Sequence, residues 1–252
     1  MSRLKALLWD VDGTLAETER DGHRVAFNLA FEALGLPWRW SVTDYGPLLK
    51  VTGGRERLLH DMATRRDAPH SAQEREALAR ELHSRKNVFY AGLVDAGGIH
   101  ARPGVLRLMD ECRREAVSMA IVTTTSTSNI EALAARMLGP QWRGWFATLV
   151  CAEDAPRKKP DPQAYLLALS RLGVVPQEAF ALEDSPGGLA AARAAGVRCG
   201  ITRSAYFADA VFDGADWVRS DLDSPSPMTL AQLRAACPVN IGALPDPGPP
   251  TP

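Results

Sequence analysis

Residues 7–19 read LLWDVDGTLAETE: an apolar run that stops on two aspartates, Asp10 and Asp12, and continues into glycine, threonine and leucine. With the residues just before it, LKALLWDV is a short continuous apolar segment, the pattern of a strand buried on both faces of a parallel sheet. Alternation along such a strand points the Asp10 and Asp12 side chains the same way, toward the strand's carboxyl end. In doubly wound sheets that edge is where ligands bind. Two carboxylates this close repel each other, and burying them is costly without a cation or a shared proton. Asp-Gly is also a turn signal, which accounts for Asp12 but leaves Asp10 unexplained.

Similar apolar runs recur at 117–123 (VSMAIVT), 146–152 (FATLVCA), 179–184 (AFALED) and 197–202 (VRCGIT). Helical patterns lie between them, over Val105–Glu115, Asn129–Leu138, Asp161–Leu172 and Pro186–Ala195. Pro103 fits a position near the first helical residue, and Gly173 and Gly196 fit helix ends. Strand alternating with helix predicts an α/β fold with a Rossmann-like, doubly wound parallel sheet. The stretch from about Glu19 to about Ala96 breaks the alternation, because it holds no strand run. Phe27, Ala30, Phe31 and Leu34 form one helical stripe; Leu58, Leu59 and Met62 a second; Leu78, Leu82, Phe89 and Leu93 a third. A helical domain is therefore inserted after the first strand. The expected division is a core of residues 1–18 and 99–225, an insert of 19–98, and a proline-rich tail of 226–252. Hinge strands are expected near Ala16–Thr18 and Ala96–Ala101.

The chain has 252 residues, 46% of them hydrophobic, enough for a substantial core. Its 29 Lys+Arg nearly balance its 30 Asp+Glu, with no block of like charge. Non-specific binding to nucleic acid or to a membrane surface is not suggested. Cys112, Cys151, Cys199 and Cys237 are far apart and form no CxxC pair, so reduced thiols are expected rather than a zinc site or disulfides. The first apolar run is cut by Asp10 too soon for a signal peptide, and no stretch approaches the roughly 20 apolar residues of a membrane span. A cytoplasmic, monomeric protein is the expectation.

Other strand ends carry further polar groups. IVTTTS ends one with Thr123, Thr124 and Thr125; RKKPDP places Lys158 and Lys159 before a proline; ALEDSPGG ends another with Glu183 and Asp184. Singly, each has a plain structural account, as a helix cap, a solvated lysine or a helix N-terminus. Together, in an order that lets them converge on one edge, they describe a phosphate site. Carboxylates from two strand ends can hold a hard cation such as Mg²⁺, and a lysine and a threonine hydroxyl can hold phosphoryl oxygens.

The set Asp10-x-Asp12-Gly-Thr-Leu, Thr123, Lys159-Pro and Glu183-Asp184 resembles the four motifs of the haloacid dehalogenase superfamily, in that family's order, over residues 5–220. The insert resembles the superfamily's helical type of cap. DVDGTLAETERDGHRVAFN, LLKVTGGRERL and SRKN further resemble the CbbY-type sugar-phosphate phosphatases, known members of which remove a phosphate from xylulose 1,5-bisphosphate. The resemblance implies that Asp10 is a nucleophile forming an aspartyl phosphate. Asp12 would be the general acid and base, held protonated by a raised pKa, and its backbone carbonyl would bind Mg²⁺. It further implies that Thr123 and Lys159 hold the transferring phosphoryl group, and that Asp184, with Glu183, completes the metal site. An aspartate at position 12 favours phosphate esters over carbon–halogen or phosphonate substrates, which have no alkoxide to protonate.

In the insert, His23 shares a helix face with Phe27 and is either a packed histidine or a substrate contact. Arg55, after two glycines, is either a phosphate contact or the first turn of an ordinary helix; relatives of the CbbY type often have lysine there. Lys86 lies on an apolar stripe, where a lysine either snorkels or has a task. The resemblance implies that these three, with Glu17, Asn87 and Thr124, contact a small sugar phosphate. The three cationic ones suggest a second, non-reacting phosphate. A β-phosphoglucomutase-like phosphomutase and a catalytically silent phosphate-binding module are the alternatives.

Overall fold

The computed structural model describes residues 4–237. Among these, six strands form one sheet: β1 (Ala6–Trp9), β2 (Ser118–Val122), β3 (Thr148–Val150), β4 (Ala179–Glu183), β5 (Arg198–Thr202) and β6 (Trp217–Arg219). Their order is β3-β2-β1-β4-β5-β6, and every pairing is parallel. The order reverses direction between β1 and β4, so the crevice at their carboxyl ends is the topological switch point of the sheet.

Four helices make up the insert that follows β1: α1 (Arg24–Ala33), α2 (Val42–Leu48), α3 (Gly54–Thr64) and α4 (Ala72–Asp95). The remainder are α5 (Val105–Arg114), α6 (Thr127–Leu138), α7 (Gln163–Leu172), α8 (Pro186–Ala194) and α9 (Leu230–Ala236). Successive side chains of β1 serve opposite layers. Leu7 and Trp9 pack with Leu108 and Met109 of α5, Ile130 and Leu133 of α6 and Leu230 and Leu233 of α9. Ala6 and Leu8 pack with Ala164 and Tyr165 of α7 and Leu189 and Ala192 of α8. Each fully buried large side chain contributes roughly 1.5–3 kcal/mol. Small residues dominate the α7–α8 side, so those helices can lie close to the sheet.

The insert has its own core of Phe27, Phe31, Trp38, Trp40, Tyr45, Leu58, Met62 and Leu82. Trp40 meets Phe27 and Phe31 edge-to-face at 4.9 and 5.0 Å, and its indole donates to Asp61 Oδ2 at 3.1 Å. Ser41 with Asp44 and Ser71 with Glu74 form capping boxes that start α2 and α4. The chain leaves and re-enters the sheet domain side by side: Ala16 and Ala101 form an antiparallel bridge, and Arg102 N donates to Leu15 O at 2.8 Å.

The structure departs from the sequence reading at several places. A π-helical turn, Glu19–His23, precedes α1, and α2 carries Gly46 and Pro47. Gly104 caps α5, and Pro103 stands just before the cap, outside the helix. Residues 226–237, read as the start of the tail, contain α9 with Leu230 and Leu233 buried; the rest of the tail, 238–252, lies outside the described residues. The four cysteines are buried and free. Among the described residues no helix is long and apolar enough to cross a membrane.

Candidate active site

Asp10 directly follows β1, with its N–H donating to Leu182 O of β4 at 3.0 Å. That bond fixes it beside Glu183, the last residue of β4, and Asp184, the next. Lys159, from the loop before α7, fills the space between them. Its ammonium donates to Asp10 Oδ1 at 2.7 Å, to Glu183 Oε1 at 2.6 Å and to the Val122 carbonyl at 2.8 Å, so all three protons are used. Tyr165 of α7 also donates to Glu183 Oε1, at 2.7 Å. Gly188 lets α8 approach this carboxylate, since a Cβ there would stand 1.9 Å from Glu183 Oε2.

One oxygen each of Asp10, Glu183 and Asp184 lie within 4.8 Å of one another, and all three residues are buried. Against one ammonium they leave a formal excess of two negative charges. Burial and Glu183 push the Asp10 carboxyl up to about 7, with Lys159 pulling the other way. Burial, Asp10 and Glu183 also push Asp184 well above its ordinary value. Burial disfavours the Lys159 ammonium, but Asp10 and Glu183 outweigh it and raise its pKa. A hard divalent cation suits such an all-oxygen cluster with surplus negative charge. Glu183 is already held by Lys159 and Tyr165, so Asp10 and Asp184 have the freer oxygens.

Asp12 takes different partners. Thr18 Oγ1 donates to its Oδ1 at 2.6 Å, and His23 Nε2 lies 2.9 Å from the same atom. Asp10 thus bonds to the core lysine and Asp12 to the start of the insert, while both line the cleft at the carboxyl end of β1. Burial favours the neutral form of Asp12, but the charge and hydrogen bond of His23, the Thr18 bond and Lys86 hold it at about 2. The raised value expected from sequence is not found, because these partners outweigh the burial.

Thr123 is buried, its Oγ1 accepting from Thr125 N at 3.2 Å. Beside the adjacent Thr124 runs a cleft between sheet and insert, with two arms that share Asp12, Glu19, Arg57 and Thr124. One arm, about 520 Å³, holds Asp10, Lys159, Asp184 and Glu17. The other, about 330 Å³, holds His23, Arg55, Lys86 and Lys158. Lys86 is buried between the Phe27 and Tyr90 rings, its ammonium 3.4 Å from Asn87 Oδ1; burial brings its pKa down to about 8. Asn87 in turn faces Ser126 Oγ at 3.5 Å. Arg55 is exposed and 3.7 Å from Glu56. His23 stacks on Tyr90 with centroids 4.2 Å apart. Glu17 accepts from Ala205 N at 3.2 Å.

Sequence reading missed several lining groups. Arg57 is buried in the cleft, bonded to Tyr45 OH and 3.4 Å from Glu19, which also accepts from Tyr45 OH at 2.7 Å. His83 lines the cationic arm; burial with Lys86, His23 and Arg55 takes its imidazole down to about 4 and keeps it neutral. The available signal for Arg57 was GGRERL, whose two arginines, two apart on a helix, face different ways.

A switch-point crevice with paired aspartates, a buried lysine and a second acidic pair under a helical insert belongs to one class of enzyme. The chain is a member of the haloacid dehalogenase-like hydrolase family, whose model matches residues 4–196, and it is a phosphoric monoester hydrolase. Within that class it is similar to protein CbbY of Rhodobacter capsulatus, 41% identical over 91% of this chain and 99% of that one. The fold is similar to that of CbbY from Rhodobacter sphaeroides in complex with phosphate, with a TM-score of 0.84 at 38% identity over 91% of this chain and 99% of that one. A mutant of the same protein in complex with xylulose-(1,5)bisphosphate gives a TM-score of 0.85 at the same identity and coverage.

Proposed function

We propose that the chain is a Mg²⁺-dependent phosphatase of a small sugar bisphosphate, with xylulose 1,5-bisphosphate the candidate substrate, working through an aspartyl phosphate on Asp10. The observation that carries the reading is the buried Asp10–Lys159–Glu183 contact beside Asp184: an anionic nucleophile with one fixed cation and room for charge from a second. The xylulose bisphosphate bound by a relative 38% identical over 91% of this chain supports the substrate choice.

Asp10 and Asp184, with the Asp12 carbonyl, would hold the metal, and Glu183 would hold Lys159. Bound Mg²⁺ would offset the charge of carboxylate and phosphoryl group. Asp10 attacks phosphorus while the bond from phosphorus to the sugar oxygen breaks. Lys159, giving up its bond to Asp10 as that carboxylate attacks, and the Thr123 hydroxyl hold the phosphoryl oxygens, and Asp12 delivers a proton to the departing alkoxide. Asp12, then a carboxylate, takes a proton from the water that attacks the aspartyl phosphate, releasing orthophosphate and restoring Asp10. The resting site keeps Asp12 ionised, the form needed for this second half. A phosphate dianion arriving beside it raises its pKa and supplies the form needed for the first. In the cationic arm, Arg55 would bind the non-reacting phosphate, with Lys86 and His23 at its inner end; Thr124, shared by both arms, Asn87 beside Lys86 and Glu17 in the other arm would contact the sugar. Binding energy from that remote group then favours closure and raises kcat. Measuring orthophosphate release from a panel of sugar phosphates and bisphosphates, ranked by kcat/KM, tests the reading: a bisphosphate should lead, and isomerised product without orthophosphate would contradict it.

A further inference from the structure

Arg102 stands immediately after the Ala16–Ala101 bridge, where the chain returns from the insert to the sheet domain. Its side chain is 9% exposed. The guanidinium reaches four backbone carbonyls on three loops. It donates to Gly13 O after β1, to Thr202 O at the end of β5 at 3.0 Å, to Arg203 O just after it at 2.5 Å, and to Ser220 O after β6 at 2.5 Å. Its Nε lies 3.7 Å from Glu17 Oε1 on the other crossing strand. A planar fork with five donors can serve this many acceptors at once; an ammonium cannot match the geometry.

Two of those loops enclose Asp184. Gly13, with φ +88°, comes so near that a Cβ on it would stand 2.1 Å from Asp184 Oδ2 and 3.0 Å from Ser204 Cβ. The Ser204 hydroxyl is hydrogen-bonded to Asp184. Arg102 therefore clamps the Gly13 wall of this cradle to the Thr202–Arg203 backbone that carries the Ser204 wall. No reacting atom needs to touch it.

We propose that Arg102 is a positioning residue of the phosphatase: it sets the width of the cradle around Asp184 and ties that width to the crossing strands of the helical insert. Partners that orient a metal's carboxylates without touching the ion typically change its affinity roughly 10–100-fold when removed. The inference rests on the reading of Asp10 and Asp184 as cation ligands, and its test separates the two.

Mg²⁺ alone is titrated calorimetrically, without substrate, into the full-length wild type, Asp184→Asn and Arg102→Lys. The expected result is loss of binding in Asp184→Asn and binding weakened roughly 10–100-fold in Arg102→Lys, with cooperative thermal unfolding retained. Wild-type affinity in Arg102→Lys together with loss in Asp184→Asn overturns the inference alone. Undiminished binding in both variants, or no binding by the wild type, overturns the cation-site reading and the inference with it. Should Arg102→Lys fail to fold, amide hydrogen exchange of the wild type decides: Mg²⁺ should slow exchange at Arg102 and Thr202–Ser204 along with Asp184. Protection confined to residues 10–13 and 184 would overturn the coupling.

Discussion

His23 Nε2 lies 2.9 Å from Asp12 Oδ1, so the first turn of the helical insert holds the carboxylate that follows the first strand. The histidine is buried and stacked on Tyr90, and its Nδ1 has no hydrogen-bond partner. Nε2–H donating to an ionised Asp12 is the arrangement that fits both facts. Insert and core therefore meet at the group proposed to handle the proton, and substrate entering between them must disturb that contact.

Asp12→Asn removes the proposed proton donor while preserving shape. Turnover of an alkyl phosphate should fall by a factor of about 10²–10⁴. The loss should shrink for a nitrophenyl ester, whose leaving group needs little protonation. Equal losses on the two substrates, measured as kcat, would show that Asp12 does not protonate the leaving group.

Without a divalent cation, stability should fall as pH rises. Burial and Glu183 push Asp10 up to about 7 from its ordinary 3.8. Between those values the folded protein binds more protons than the unfolded chain, so raising the pH favours unfolding. Asp184, shifted the same way, adds to the effect. Thermal unfolding from pH 5 to 8 in EDTA should show a declining Tm, a flatter profile for Asp10→Asn, and a Mg²⁺ stabilisation that grows with pH. A Mg²⁺ effect independent of pH would contradict the charge argument.

Lys159→Ala strands Asp10 and Glu183 in a buried site. Breaking a buried pair this way costs about 3–5 kcal/mol of stability, and kcat should drop by roughly 10²–10³, as for the loss of an oxyanion-hole donor. Lys158 donates instead to the Ala152 carbonyl at 2.6 Å. Lys158→Ala should therefore be the milder change in both kcat and Tm, and the reverse order would reassign the phosphoryl-binding lysine.

Arg55→Ala should erase the preference for a bisphosphate over its matching monophosphate while leaving a small chromogenic ester near its normal rate. The comparison is kcat/KM for xylulose 1,5-bisphosphate against xylulose 5-phosphate, in wild type and variant. An equal loss on all three substrates would mean that Arg55 does not read a second phosphate.

The sheet was legible because five of its strands are apolar runs ended by polar groups; β6, three residues of an exposed edge reading WVR, carries no such run. The three long insert helices announce themselves by apolar stripes, whereas α2 hides behind Gly46 and Pro47 and shows only its Ser41–Asp44 capping box. α9 was masked by the prolines around it, though Leu230 and Leu233 carry its burial. Within the site, strand ends gave Asp10, Glu183 and Asp184 their common location. Which of Lys158 and Lys159 turns inward, and that Tyr165 supports Glu183, depend on tertiary contacts with no local signature. The state of Asp12 was misjudged for the same reason: its His23 partner lies eleven residues on and meets it only through the π-helical turn.

The central claim is that Asp10 is the nucleophile of a cation-assisted phosphatase. The most direct test measures orthophosphate release from xylulose 1,5-bisphosphate by the wild type and Asp10→Asn, with Mg²⁺ and with EDTA, alongside far-ultraviolet circular dichroism of both proteins. The account predicts release only by the wild type with Mg²⁺, and a folded but inactive Asp10→Asn. Wild-type turnover by Asp10→Asn, or turnover undiminished in EDTA, would contradict it.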